Sequence, residues 1–384
     1  KIAYCIPGLY YPSGMERVLS LKANYLASQK DKYEIYIILT EGKDKTPYYP
    51  LLPEIQLIHL DINFDDLYTV SPIKKISGYF QKQKLFRKRL TECLHQIRPD
   101  ITVSLLRRDI NFINKIKDGS IKLGEIHFSR ANYRDFKNNR LPSFLQKIVA
   151  KYWTKQLIRE LKKLKRFIVL SQEDKVKWKE LNNVSVIYNP LSFFPETTSR
   201  CENKKVIAVG RLAFPKNFSS LISAWKYVIE RHADWTLEIW GEGELRTELE
   251  EQIRNNQLTN NIFLKGYTYD IFSPLYEASI FTLTSLFEGL PLVIIEAMSC
   301  GVPVVSYACP CGPQDIIADG HDGFLVPVNN EKVLADRICR LIEDKELRKE
   351  MGKAARLKAE QYDIKNIIPM WMELFNQLIN EKRK

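Results

Sequence analysis

The chain has 384 residues, of which 45% are hydrophobic and 27% charged, with a formal net charge of +12. That length exceeds a single ordinary core and fits two domains, while the composition excludes a disordered, fibrous or disulfide-stapled chain. No apolar run approaches the roughly 18 residues that a membrane-spanning helix needs.

The chain opens on a strand pattern, Ile2-Ala3-Tyr4-Cys5-Ile6, so a secretory leader is not expected. A turn-rich segment from Pro7 to Arg17 follows and leads into a helix expected over 14–29. Further strands are expected at 33–39, 55–60, 101–105, 122–127, 166–170 and 184–188, with helices at 72–98, 140–163 and 172–181. Two of these helices are strongly basic, one around Lys74 to Arg89 and the other from Lys147 to Arg166. Phe80, Leu85, Phe86 and Leu90 are expected to form the apolar face of the first. Leu145, Ile148, Tyr152, Trp153 and Ile158 are expected to form that of the second. Residues 1–190 hold 35 Lys and Arg against 19 Asp and Glu, whereas residues 191–384 hold 23 against 27. A surface of that sign draws an acidic partner. Anionic lipid headgroups are the expected one, at about 1 kcal/mol per basic residue near the surface. Nucleic acid is not expected, because no recognition module accompanies the charge.

The stretch Asn189-Pro190-Leu191-Ser192-Phe193-Phe194-Pro195, with two prolines and no periodicity, followed by polar residues to Lys204, breaks the alternation and reads as an interdomain linker. The pattern then restarts, with strands at 206–209, 236–240, 262–264, 280–283, 303–306 and 324–326, and helices at 217–231, 244–255 and 364–381. Alternating strands and helices in both halves predict two doubly wound parallel sheets, whose ligands sit at the carboxyl ends of the strands. The seven cysteines are scattered, and the one close pair, Cys309 and Cys311, has no Cys/His cluster to complete a zinc site. A reduced, cytoplasmic setting is expected from that usage.

The most informative segment is Phe287-Glu288-Gly289-Leu290-Pro291-Leu292-Val293-Ile294-Ile295-Glu296. It sets one carboxylate on a Gly-containing turn after a strand and a second, eight positions on, inside a helix. Pro291 stands where a helix favours its first residue. Unpaired N–H groups at such a helix start form a seat for an anion or an oxygen-rich ligand. A carboxylate beside that seat repels bare phosphate but suits a ligand that carries hydroxyls next to its phosphates, such as a nucleotide sugar.

The segment resembles the E-x7-E signature of retaining glycosyltransferases of the GT-B fold, glycosyltransferase family 4 in particular. The strand from Cys300 to Val305 and the turn from Gly312 to Ile317 resemble that family too. The resemblance implies a GT-B enzyme, two Rossmann-like domains facing each other across a cleft. Residues 1–190 would form the acceptor-side domain and 191–363 the nucleotide-sugar domain, with the helix of 364–384 returning to the first. It implies that Glu288 lies by the donor sugar and Glu296 binds the ribose, with Gly289, Leu290, Pro291 and Leu292 forming the donor turn. Gly210-Arg211-Leu212 and Lys216 resemble the family's diphosphate-holding element. Gly14 and Arg17 resemble part of a Gly-Gly-x-x-Arg turn whose first glycine is Ser13 here. His127, after Gly124-Glu125-Ile126, resembles the family's histidine at the donor sugar, and Tyr267 falls where the base stacks. Gly241-Glu242-Gly243-Glu244 reads as a family turn near the nucleotide, and His321-Asp322-Gly323-Phe324 as a turn that demands glycine.

The expected activity is transfer of a hexose or N-acetylhexosamine from a nucleotide sugar, a UDP-sugar foremost, to a saccharide or lipid-linked acceptor of envelope glycan synthesis. An α-linkage is implied, with retention by front-side attack as the favoured family account. No Asp-x-Asp occurs, so cations of the chain are expected to serve the diphosphate, with no metal or other cofactor. The enzyme is expected in the cytoplasm, peripheral on the inner membrane face. A nucleotide-sugar 2-epimerase of the same fold and a non-catalytic glycan-binding scaffold remain the alternatives. The absence of G-x-G-x-x-G weighs against a dinucleotide-dependent dehydrogenase.

Overall fold

The computed structural model describes residues 1–130 and 143–383. Residues 140–142 of the helix expected over 140–163, and the side chains of Leu145, Lys147 and Ile148, lie outside the described residues.

The chain divides into two compact units. The first comprises Lys1–Leu170, Asp174–Ile187 and the residues from Ile368 on; the second comprises Ser171–Glu173 and Tyr188–Ile367. The segment read as a linker belongs to the second unit. Leu191 is buried there and its N–H donates to the Tyr362 carbonyl at 2.8 Å.

Among the described residues of the first unit, seven strands form one parallel sheet: β1 (Ile2–Ile6), β2 (Ile35–Leu39), β3 (Gln56–His59), β4 (Ile101–Ser104), β5 (Ile121–Glu125), β6 (Arg166–Val169) and β7 (Val184–Val186). Their order is β3-β2-β1-β4-β5-β6-β7. The helices are α1 (Gly14–Ala27), α2 (Pro72–Ile97), α3 (Ser143–Leu161) and α4 (Gln172–Lys177). The runs IAYCI and IYIIL of β1 and β2 are buried at every position, which is why they are continuously apolar: a parallel sheet has both faces covered.

The second unit holds β8 (Lys205–Val209), β9 (Thr236–Trp240), β10 (Ile262–Gly266), β11 (Ile280–Leu283), β12 (Val304–Tyr307) and β13 (Gly323–Val326), in the order β10-β9-β8-β11-β12-β13. Its helices are α5 (Phe218–Ile229), α6 (Arg246–Asn255), α7 (Phe272–Glu277), α8 (Leu292–Ser299), α9 (Pro313–Ile316), α10 (Glu331–Glu343) and α11 (Lys345–Ala359). In each sheet the chain winds first to one side and then to the other, so β1/β4 and β8/β11 are the topological switch points.

The last helix, α12 (Ile364–Arg383), starts in the second unit and enters the first at Ile368, next to the internal Pro369. Ile368, Trp371, Phe375 and Leu378 are buried. The Lys22 ammonium of α1 sits 3.8 Å from the centre of the Trp371 ring, and Glu381 pairs with Lys165 at 2.7 Å.

Several local expectations are corrected. Phe86 and Leu90 of α2 are buried, but Phe80 and Leu85 point outward, because the first turns of α2 rise beyond the core that the later turns cover. Lys82 and Arg89 are not free surface charges. Lys82 donates to the carbonyls of Ile62 and Asn63, both at 2.7 Å, and Arg89 to those of Leu60 and Asp61 at 2.6 and 2.7 Å. Gly323 is no turn glycine. It opens β13 where a Cβ would meet the Val304 carbonyl oxygen at 2.8 Å, and the positive φ of that turn falls on Gly320 at 78°. Trp371→Ala is expected to cost about 3–5 kcal/mol by leaving a large cavity under Lys22, read as a lower urea midpoint with the slope unchanged.

Candidate active site

The second unit's switch point gathers the cations and one of the carboxylates. β8 ends at Val209, and Gly210 and Arg211 follow at once, while β11 ends at Leu283 and runs into Thr284, Ser285 and Glu288. Two cross-links join the neighbouring loops: the Leu286 N–H donates to the Pro215 carbonyl at 2.8 Å, and the Thr284 hydroxyl to the Lys216 carbonyl at 3.1 Å. They fix a short helical turn, Phe214–Lys216, against the strand end. The Lys216 ammonium thereby lies 2.6 Å from a Glu288 carboxylate oxygen. The Ser285 hydroxyl donates to the same oxygen, also at 2.6 Å. Charge-assisted bonds this short hold both side chains in one geometry. Arg211 is exposed and enters no ion pair among the described residues.

Behind Arg211 the backbone is set by glycine. Gly241 has φ of 144°, and a Cβ there would strike the Gly210 carbonyl oxygen. The Leu212 N–H donates to the Glu242 carbonyl at 2.9 Å. The Gly241-Glu242-Gly243 turn therefore packs backbone to backbone against the segment that carries Arg211. It does not open a helix directly, since α6 begins at Arg246.

The turn Gly289–Leu292 closes the site's other side. Pro291 is the cap residue of α8 rather than its first helical residue, with φ −74° and ψ 89°. Gly312, at φ 110°, lets that loop pass close to the Pro291 ring. The Glu288 N–H is held by the Pro310 carbonyl at 3.2 Å, and the Cys311 N–H by the Glu173 carboxylate at 2.7 Å. Cys309 and Cys311 are thus part of the loop that props the turn, and both are buried thiols. Glu296 lies within α8 and is only 1% exposed. Tyr267 follows β10, two strands from β8 and so roughly 10 Å along the sheet. It is half exposed, with its ring edge-on to Tyr269 at 5.0 Å.

Gly14 and His127 belong to the first unit. Gly14 is the first residue of α1, with open space around its Cα. Ser13 precedes it as N-cap in extended backbone (φ −94°, ψ 156°), which serine adopts freely. Its hydroxyl accepts from the Glu16 N–H, and the Glu16 carboxylate accepts from the Ser13 N–H, a reciprocal capping box. The replacement of glycine by Ser13 therefore brings a helix cap and no backbone strain. His127 sits two residues beyond the end of β5. Its Nε2 is 3.2 Å from one oxygen of Glu125, whose other oxygen is 2.5 Å from the buried Lys22 ammonium. Burial pushes the Glu125 carboxyl up, but Lys22 and His127 outweigh it and hold the group down to about 2. Lys22 is itself lowered by burial against the pull of Glu125.

Lys22, Trp371 and Ser285 are the site-supporting residues that sequence reasoning missed. Lys22 and Trp371 come from distant helices and carried no local signal. Ser285 stood three residues before Glu288, the spacing at which a hydroxyl reaches a carboxylate.

Residues 192–358 match the family described as "Glycosyl transferases group 1". An uncharacterised glycosyltransferase of Haemophilus influenzae is 27% identical over 375 residues, 97% of this chain and 98% of that one. A Campylobacter jejuni enzyme is 26% identical over 389 residues, 99% of each chain. It is described as the GalNAc-alpha-(1->4)-GalNAc-alpha-(1->3)-diNAcBac-PP-undecaprenol alpha-1,4-N-acetyl-D-galactosaminyltransferase. Among solved structures, S. aureus TarM in complex with fondaparinux, alpha-GlcNAc-glycerol and UDP superposes with a TM-score of 0.73. It covers 98% of this chain and 99% of its own, at 17% identity, a likeness of fold alone.

The Glu125 carboxyl lies below its ordinary value of 4.5, so its contribution to stability is complete above that pH and is lost as pH falls toward about 2. Glu125→Gln is expected to start less stable, because Lys22 loses its counter-charge, yet to fall less steeply across that window. Urea titrations at stepped pH measure both effects.

Proposed function

We propose that this group 1 glycosyltransferase of GT-B fold moves a hexose or N-acetylhexosamine from a UDP-sugar to a saccharide or lipid-linked acceptor of envelope glycan synthesis, with retention and an α-linkage. The observation that carries the reading is the pairing of Lys216 with Glu288 at the β8/β11 switch point, with Arg211 on the same loop after β8. Expulsion of a nucleoside diphosphate builds negative charge on the leaving oxygen, and the two cations Arg211 and Lys216 beside it lower its energy. Glu288 accepts hydrogen bonds from sugar hydroxyls, and the Gly289–Leu292 turn presents the first N–H groups of α8 to the donor. In the reaction the acceptor oxygen bonds to the anomeric carbon as the bond from that carbon to the phosphate oxygen breaks. The acceptor's proton passes to the departing phosphate on the same face, which accounts for retention without a protein nucleophile.

The relatives support the acceptor class, since the Campylobacter enzyme's description names an undecaprenol-linked saccharide. Glu296 is assigned to the ribose and Tyr267 to the base. His127, set by Glu125, is assigned to the donor sugar, and Gly14 to the backbone approach toward the diphosphate. The diphosphate is served by side-chain cations with no metal requirement. The enzyme works in the cytoplasm, peripheral on the inner face of the membrane, through its basic first unit. No described helix is long and apolar enough to cross a membrane.

UDP-sugars are expected to raise the melting temperature by mass action, about 2.7 kcal/mol of stabilisation at a hundred times Kd, with GDP- and ADP-sugars inert. Arg211→Ala is expected to lower kcat/KM by about 10²–10³-fold, the usual loss for one donor at a developing charge. Chelation with EDTA is expected to leave turnover unchanged. A donor that is epimerised without an acceptor, or a Glu288→Gln variant with full transfer activity, contradicts the reading.

A further inference from the structure

From Leu67 to Thr91 the chain contains no Asp or Glu and seven Lys or Arg. Two of the seven, Lys82 and Arg89, are spent on the carbonyls of residues 60–63. The other five, Lys74, Lys75, Lys84, Arg87 and Lys88, are exposed. Phe86, Leu90 and Leu94 in the later turns of α2 are buried. Its early turns expose Ile76 (63%) and Phe80 (67%), and the preceding loop exposes Tyr68 (70%). Ile76, Phe80, Lys84 and Lys88 follow one another at four-residue spacing, so they line one stripe: two apolar side chains at its amino end, then two ammonium groups. The Lys75 ammonium lies 5.2 Å from the centre of the Tyr68 ring, which ties the loop to the same surface.

A solvated helix face explains the lysines but not an isoleucine and a phenylalanine stacked on it at two-thirds exposure. Acids stand at the margins, where Asp66 pairs with Lys82 at 2.9 Å and Glu92 with Lys88 at 4.0 Å. Between them, apolar protrusions flanked by Lys74, Lys75, Lys84 and Arg87 have the chemistry of an interfacial membrane anchor. We propose that the early turns of α2 and the Tyr68 loop insert into the headgroup layer of a bilayer rich in anionic lipid. Ile76 and Phe80 enter the acyl boundary, and the exposed bases meet the headgroup phosphates. The anchor deepens the proposed peripheral placement and narrows it to one helix. It draws its purpose from a lipid-linked acceptor, but its test uses neither donor nor acceptor, so it stands or falls apart from the transferase reading.

The test is co-sedimentation of the full chain with vesicles of phosphatidylcholine, with and without phosphatidylglycerol, at low and high salt. The wild-type chain is expected to bind only the anionic vesicles, and to lose affinity as salt rises. Ile76→Ser with Phe80→Ser is expected to weaken binding roughly tenfold or more, and Lys74→Glu with Lys75→Glu roughly thirtyfold or more. Both double variants are expected to keep the wild-type thermal melt by circular dichroism, since these side chains leave the core untouched. The proposal is overturned if the wild-type chain ignores anionic vesicles at low salt, or if the Ser variant binds as the wild type does. Tighter binding to a DNA duplex than to the vesicles overturns it as well. So does a concentration-dependent dimer that the Ser variant dissolves, which assigns the surface to a second copy of the chain.

Discussion

The contact between the Lys216 ammonium and the Glu288 carboxylate is the constraint on which the site depends. Each side chain is the other's counter-charge at the end of a parallel sheet, 2.6 Å apart and partly withdrawn from water. Neither group is there by local preference. Lys216 is placed by a turn after β8 and Glu288 by a turn after β11, two elements that are adjacent only because the sheet changes winding direction between them. The Thr284 hydroxyl ties the two turns together, and the Ser285 hydroxyl holds the Glu288 carboxylate within its own turn. The ion pair therefore holds the two turns together in the absence of any ligand. On the proposed reading, an incoming diphosphate must draw Lys216 away from a partner it already has.

Much of this was legible in the sequence because parallel sheets write themselves plainly. Strands buried on both faces read as short apolar runs, and every one of the expected runs became a strand, down to Val184–Val186. The E-x7-E segment fell on a turn and a helix as its pattern required, and Gly210 to Lys216 fell at the neighbouring strand end. The failures share a different cause. Phe80 belongs to an apolar periodicity that continues beyond the core able to cover it, so the pattern alone could not show where burial stops. Gly323 looked like a turn glycine because turns favour glycine, yet what excludes a side chain there is the Val304 carbonyl of a neighbouring strand. Lys22 gave no signal at all, since its meaning depends on Glu125 and Trp371, about 100 and 350 positions away.

The first unit's charge divides into separate uses once the side chains are placed. Lys82 and Arg89 neutralise carbonyls of the loop after β3, and Lys22 is sunk beside Glu125 to hold the end of β5. Burying an ion pair costs several kcal/mol for each charge, which its own attraction only partly returns. Here the pair stands beside the strand-end His127, 3.2 Å from Glu125, and under Trp371 of the last helix. Of the remaining bases, Lys74, Lys75, Lys84, Arg87 and Lys88 stand exposed on α2, and Lys151, Lys155 and Arg159 stand exposed on α3.

The most direct measurement of the central claim is calorimetric titration of UDP into the wild-type chain, Lys216→Ala and Glu288→Ala. If Lys216 serves the diphosphate and Glu288 restrains it in the empty site, Lys216→Ala binds UDP at least roughly tenfold more weakly, the loss of one charge-assisted bond. Glu288→Ala then binds it as tightly as the wild type or more so. Equal UDP affinity in the wild type and Lys216→Ala, or weaker binding in Glu288→Ala than in Lys216→Ala, contradicts the account.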